Sequence, residues 1–165
     1  MNRFSIRDVA PGDERAIARI YAPIVEGTII SFEEEPPGPG EFARRIARVT
    51  ENYPWLVAER DRAVMAYAYG TRWRERRAYR HSVEVTVYVD ASAHRMGLGR
   101  ALYEELFARL HARGFHRAFA GISMPNDASV SLHQAVGFEP VGTFRQAGYK
   151  FGRWIDVSWW QRALP

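Results

Sequence analysis

The chain contains no cysteine. That excludes disulfides, a thiolate zinc site and any route through a covalent acyl-cysteine. Lysine is almost as scarce: Lys150 is the only one, and every other basic side chain behind the net charge of +4 is arginine. Arginine makes planar, bidentate contacts to carboxylate and phosphate. No sustained basic run occurs, because the arginines are spread among carboxylates, so a nucleic-acid partner is not expected. No apolar run reaches membrane-spanning length, and "MNRFSIRDVAPGDE" lacks the apolar core of a secretory signal. The expectation is a cytoplasmic protein with no membrane partner and no bound metal.

Apolar residues make up 47% of the 165 positions and aromatics 13%, enough for one packed domain spanning 1–165. "FSIRDVA" (Phe4–Ala10) reads as a strand, and Asp13 as the N-cap of a helix whose inner face is Ile17, Ile20, Tyr21 and Ile24. The breaker-rich "EEEPPGPGE" (Glu33–Glu41) reads as a loop, and Phe42, Ile46 and Val49 mark a second helix. "WLVAE" and "AVMAYAYG" form a hairpin about Arg60-Asp61-Arg62, and "SVEVTVYV" (Ser82–Val89) is a longer strand. A helix follows with Leu102, Tyr103, Leu106, Phe107 and Leu110 on one face, stopped by Gly114. Strand Arg117–Ser123, a short helix over "NDASVSLHQAV" and two aromatic-rich strands around "GYKFGRW" complete a mixed α/β domain with one strand–helix–strand crossover.

That crossover carries Arg95-Met96-Gly97-Leu98-Gly99-Arg100 between strand and helix. It is not a dinucleotide fingerprint, since Leu102 stands where the third glycine belongs, and it has no Gly-Lys-Ser/Thr of a Walker loop. Free N–H groups at the helix start, with Arg95 and Arg100 beside them, suit an anion. An ordinary glycine turn capping a helix is equally compatible with the loop alone.

The spelling "HRMGLGRAL" resembles the Arg/Gln-x-x-Gly-x-Gly/Ala signature of the GCN5-related N-acetyltransferase superfamily. "NDASVSLHQAVGF" resembles that family's Asn-x-x-Ala-x-x-x-Tyr-x-x-x-Gly-Phe segment. "GTIISFEEEPP", "YPWLVAE", "YAYGTRWRERRAYRHSVEVTVYV" and "AGYKFGRWIDVSWWQR" are similar to one branch, the phosphinothricin and methionine sulfoximine acetyltransferases. Together these stretches span nearly the whole chain. The resemblance implies a mostly antiparallel mixed sheet flanked by helices, acetyl-CoA as co-substrate, a small amino-acid-like acceptor and a homodimer. It also implies that Arg95, Met96, Gly97, Leu98, Gly99 and Arg100 hold the pyrophosphate, and that the backbone of Val87, Tyr88 and Val89 binds the pantetheine arm. Asn126 and, more weakly, Ala135 would lie on the cofactor side.

Acetyl transfer needs a held thioester, a deprotonated amine, a stabilised oxyanion and a proton for the thiolate. With no cysteine, direct attack by the amine is the economical route. Glu84 shares one strand face with Thr86 and Tyr88, amid valines on the other, and is costly there unless paired or raised in pKa. It is the candidate general base, with a solvated strand glutamate as the bland alternative. His133 stands where many superfamily members carry a tyrosine acid, and a histidine can serve near neutral pH. By resemblance, Arg74, Glu75, Arg76 and Tyr79 contact the substrate together with Glu84, and Phe32 walls the pocket. A protein or peptide N-acetyltransferase on the same fold and a non-catalytic coenzyme A sensor are the competing readings. "RWRERRAYRH" is the only stretch suggestive of RNA, and Glu75 interrupts it.

Overall fold

Successive side chains on a strand point to opposite faces, and along Trp55-Leu56-Val57-Ala58 all four are buried. Such a strand needs cover on both sides. The computed structural model, which describes residues 4–165, supplies it. Seven strands form one sheet in the order β1-β2-β3-β4-β5-β7-β6. They are β1 (Ser5–Asp8), β2 (Trp55–Arg60), β3 (Ala63–Arg72), β4 (Ser82–Val89), β5 (Arg117–Ser123), β6 (Glu139–Lys150) and β7 (Arg153–Ala163). Every neighbouring pair is antiparallel except β4 and β5. Helices α1 (Glu14–Gly27) and α2 (Pro39–Thr50) precede β2, α3 (Leu98–Ala112) links β4 to β5, and α4 (Asp127–Ala135) follows β5.

The two faces carry separate cores. Trp55, Val57, Val64 and Tyr67 pack with Ile17, Tyr21, Val25 and Phe42 of α1 and α2. Leu56, Ala58, Ala66, Ala68, Val83 and Val85 pack with the α3 stripe on the opposite face. Leu98, Leu102, Leu106 and Leu110 of that stripe are each no more than 2% exposed. Burying each one stabilises the fold by about 2 kcal/mol. Gly70 lets β3 lie close beneath this helix, since a Cβ there would come within 2.9 Å of Val83 Cγ2 and 3.3 Å of Leu110 Cδ2.

The element order is the expected one, with local differences. Val25, not Ile24, completes the fully buried face of α1, and Ile24 is only half-buried. Asp13 occupies the N-cap position but makes no side-chain cap. Its carboxylate instead accepts from the Arg7 guanidinium at 2.7 and 3.0 Å and from Ala10 N–H at 2.8 Å, and Arg7 also reaches Glu59. A charge-assisted pair outcompetes a neutral amide for the same oxygens. Helix α2 starts inside the expected loop, because Pro39 sits in its first turn, where the missing N–H costs nothing. The arginine-rich segment after β3 contains a single 3₁₀ turn, Arg77–Tyr79.

Candidate active site

The parallel pairing of β4 with β5 lasts only from Ser82↔Arg117 to Glu84↔Phe119. Beyond Glu84, β4 stays registered with β3 as far as Val89↔Ala66, while β5 follows β7 as far as Ser123↔Val157. Each strand keeps its outer partner and the inner edges part. Backbone groups on those inner edges have no ladder to join. A cavity of about 390 Å³ opens in the gap.

Glu84 stands at the point of divergence and lines this cavity. Burial raises the pKa of its carboxyl, and the nearby positive charge of Arg74 partly opposes the rise. Among the described residues it has no ion-pair partner within 4 Å. Arg74 is steadied by an aromatic stack: its guanidinium lies 4.6 Å from the Trp73 ring centroid, and Trp73 stacks on Phe119 at 4.3 Å. Trp159 meets Trp73 edge-on at 4.9 Å and forms part of the cavity wall. Gly121 on β5 makes room for that indole, since a Cβ there would lie 3.1 Å from two of its ring atoms.

Tyr103 of α3 and His133 of α4 line the cavity and are joined by a hydrogen bond, Oη to Nε2, of 3.0 Å. His133 Nδ1 lies 2.7 Å from the Ser129 carbonyl. A carbonyl only accepts, so Nδ1 carries the proton and Nε2 accepts from the Tyr103 hydroxyl. Burial lowers the His133 pKa, which keeps the ring neutral in this arrangement, and raises that of Tyr103. Asn126 caps α4, its Oδ1 accepting from Ser129 N–H at 3.1 Å, and also reaches the cavity. Tyr103 belongs to the apolar stripe by spacing. Its polar tip amid leucines was the one signal that could have drawn attention to it.

At the far end of β4, Arg95 and Gly97 both have positive φ, 63° and 78°, and Gly97 caps α3. The space around Gly97 is open to 4 Å, whereas a Cβ on Gly99 would approach Leu132 of α4 at 3.2 Å. The first glycine therefore serves the turn and the second serves packing. Leu98 is buried, Met96 and Arg95 are exposed, and Arg100 is paired with Glu104 at 2.8 Å. The first N–H groups of α3 lack helical acceptors, so this turn can hold an anion.

The structure brings Glu84, Val87, Tyr88, Asn126, His133 and Phe32 together around the cavity. Val89 and the glycine turn continue from its β4 wall. Ala135 lies exposed near the end of α4, outside the lining. Arg74, Glu75, Arg76 and Tyr79 line a separate depression of about 410 Å³ with Arg72, Arg80 and Arg113. Of this group, Arg74 is the one whose charge is felt at Glu84. Among the described residues no group of three His, Asp or Glu converges on a metal site.

A sheet that parts at a half-buried carboxylate, with a helix start able to hold an anion at the far end of the gap, is an arrangement suited to a transferase with a phosphate-bearing donor. The chain belongs to the acetyltransferase (GNAT) domain family, whose match runs over residues 6–159, and it is an N-acetyltransferase. It is 43% identical over 157 residues to a phosphinothricin N-acetyltransferase of Streptomyces viridochromogenes, covering 95% of this chain and 86% of that one. It is 39% identical over 166 residues to the L-methionine sulfoximine/L-methionine sulfone acetyltransferase of Pseudomonas aeruginosa, covering 97% and 94%. The crystal structure of a phosphinothricin acetyltransferase from Sinorhizobium meliloti, in complex with AcCoA, superposes with a TM-score of 0.94 at 40% identity, covering 98% of this chain and 89% of that one.

Proposed function

We propose that the protein transfers an acetyl group from acetyl-CoA to the α-amino group of a small amino acid of the phosphinothricin, methionine sulfoximine or methionine sulfone type. The observation that carries this reading is the placement of Glu84, a cavity-lining carboxylate without an ion-pair partner among the described residues, at the point where β4 leaves β5. The relatives' names support the substrate class. Acetyl-CoA supplies the electrophilic thioester carbon. The unpaired inner edge of β4 holds the pantetheine arm, and the Gly97 turn with the first amides of α3 takes the pyrophosphate.

Glu84 takes one proton of the acceptor's ammonium group, the amine lone pair forms the new C–N bond as the C–S bond breaks, and the second proton that nitrogen sheds makes up the one delivered to sulfur. Arg74 favours the ionised carboxylate and is available to the acceptor's own anionic groups. Returning a proton to the sulfur falls to the Tyr103–His133 pair. With Nδ1 committed to a carbonyl, the exchangeable proton of that pair lies in the Nε2–hydroxyl link.

Two copies of the chain pair through the β6–β7 hairpin. Strand β6 ends the sheet, and Phe144, Tyr149, Phe151 and Trp154 on this hairpin are each more than half exposed. An open edge rimmed with large apolar groups calls for a partner surface.

The test of the substrate class is thiol release from acetyl-CoA with methionine sulfoximine, phosphinothricin and a short basic peptide in parallel. Turnover on an amino acid is expected. Turnover on the peptide alone would replace this reading with the protein-acetylating one, and coenzyme A binding without turnover would replace it with a sensor.

A further inference from the structure

The one lysine of an arginine-rich chain is buried, with 2% of its surface exposed. Lys150 Nζ donates to three backbone carbonyls: Val25 at 2.7 Å, Thr28 at 2.8 Å and Ser31 at 2.7 Å. An ammonium group has three donors diverging from one atom, and here each has an acceptor. A flat guanidinium could not meet three carbonyls converging on a point, which accounts for lysine at this position. The first two acceptors lie at the end of α1, where carbonyls lack helical partners and a cation is favoured. The third lies in the loop that follows, next to Phe32, which lines the cavity.

Two residues earlier on β6, Gly148 is also buried, facing the same way as Lys150. A Cβ at Gly148 would clash with the edge of the Phe32 ring, at Cε2 and Cζ. The same loop is tied from other sides. Ser123 Oγ donates to the Ile29 carbonyl at 2.6 Å, and the Tyr21 hydroxyl lies 2.6 Å from both Ser31 Oγ and Glu33 Oε2. Glu33 in turn accepts from Arg45 at 2.6 Å.

We propose that Lys150 and Gly148 are positioning residues for acceptor recognition, Lys150 holding the loop Thr28–Phe32 and Gly148 seating the Phe32 ring against β6. The proposal rests on the cavity being the acceptor site. It makes β6 the element that sets how far Phe32 reaches across the pocket, although β6 lies at the opposite end of the sheet from β1.

The experiment compares wild type, Lys150→Met and Gly148→Ala by amide hydrogen exchange and steady-state kinetics. In Lys150→Met, amides of residues 29–33 should exchange at least about tenfold faster while those of α3 stay unchanged. The acceptor KM should rise at least about tenfold, with the acetyl-CoA KM within about twofold of wild type. In Gly148→Ala the loop stays protected, because Lys150 still holds it, but the acceptor KM rises as Phe32 is displaced. Unchanged exchange in Lys150→Met, or an equal loss for both substrates in either variant, would overturn the proposal. Should Lys150→Met fail to fold, Gly148→Ala decides by its KM split alone. Should wild type acetylate no amino acid, the reading of the cavity fails, and the exchange comparison still judges the clamp.

Discussion

A glutamate at the divergence of two strands is held between opposing influences. Burial favours its protonated form, and the Arg74 charge favours the ionised one. As a base, Glu84 works only when ionised. Because its pKa is raised, kcat/KM should fall with decreasing pH at an inflection above the ordinary carboxylate range. Removing the opposing cation leaves burial alone. In Arg74→Met the inflection should therefore move to higher pH, as read from kcat/KM profiles of the two proteins. An unmoved or lowered inflection would show that Arg74 does not act on Glu84. His133 needs a different description from the one its sequence position suggests. Both ring nitrogens are engaged, so in the proposed reaction its part is to hold the Tyr103 hydroxyl rather than to serve as an isolated acid.

At the level of elements, the site depends on where pairing stops. "SVEVTVYV" has the composition of an ordinary central strand, and nothing in it marks the end of the β4–β5 ladder at Glu84. The chain after Asp90 rises through the Gly97 turn into α3, whose helix then packs beneath the sheet rather than beside the parted edge. The β6–β7 hairpin is the other element with a consequence. It closes with Phe151 and Gly152 at φ 51° and 71°, the two positive angles of a type I′ turn that matches strand twist. It also displays the aromatic surface assigned to pairing of two chains. Light scattering should give twice the mass of one chain for wild type and the mass of a single chain for Trp154→Glu. A wild-type monomer would remove the hairpin from any interface.

For the whole molecule, much was legible before the structure. Spacing and composition indicated every strand and α-helix in the right order: β2, β3, α1 and α3 bury apolar faces, whereas β6 exposes all but Gly148 and Lys150 and is marked by its aromatic residues. Helix edges were less legible: Pro39 reads as a breaker until its place in a first turn is known, and the Asp13 oxygens are claimed by Arg7, distant from any capping pattern. Within the site, Glu84, Asn126, His133 and Phe32 could be picked out by residue type and resemblance. Tyr103 was marked only by its polar tip, and the role of Lys150 could not be picked out. One is hidden in an apolar stripe, and the other belongs to the residue type most often found in solvent.

The most direct test of the account is Glu84→Gln, an isosteric change that removes the base and leaves the cavity its shape. Turnover of methionine sulfoximine would be measured alongside calorimetric binding of acetyl-CoA. The account predicts kcat lower by at least about 100-fold, with the acetyl-CoA Kd within about twofold of wild type. A variant that keeps its turnover would contradict the central claim, since the proton of the acceptor would then leave by another route.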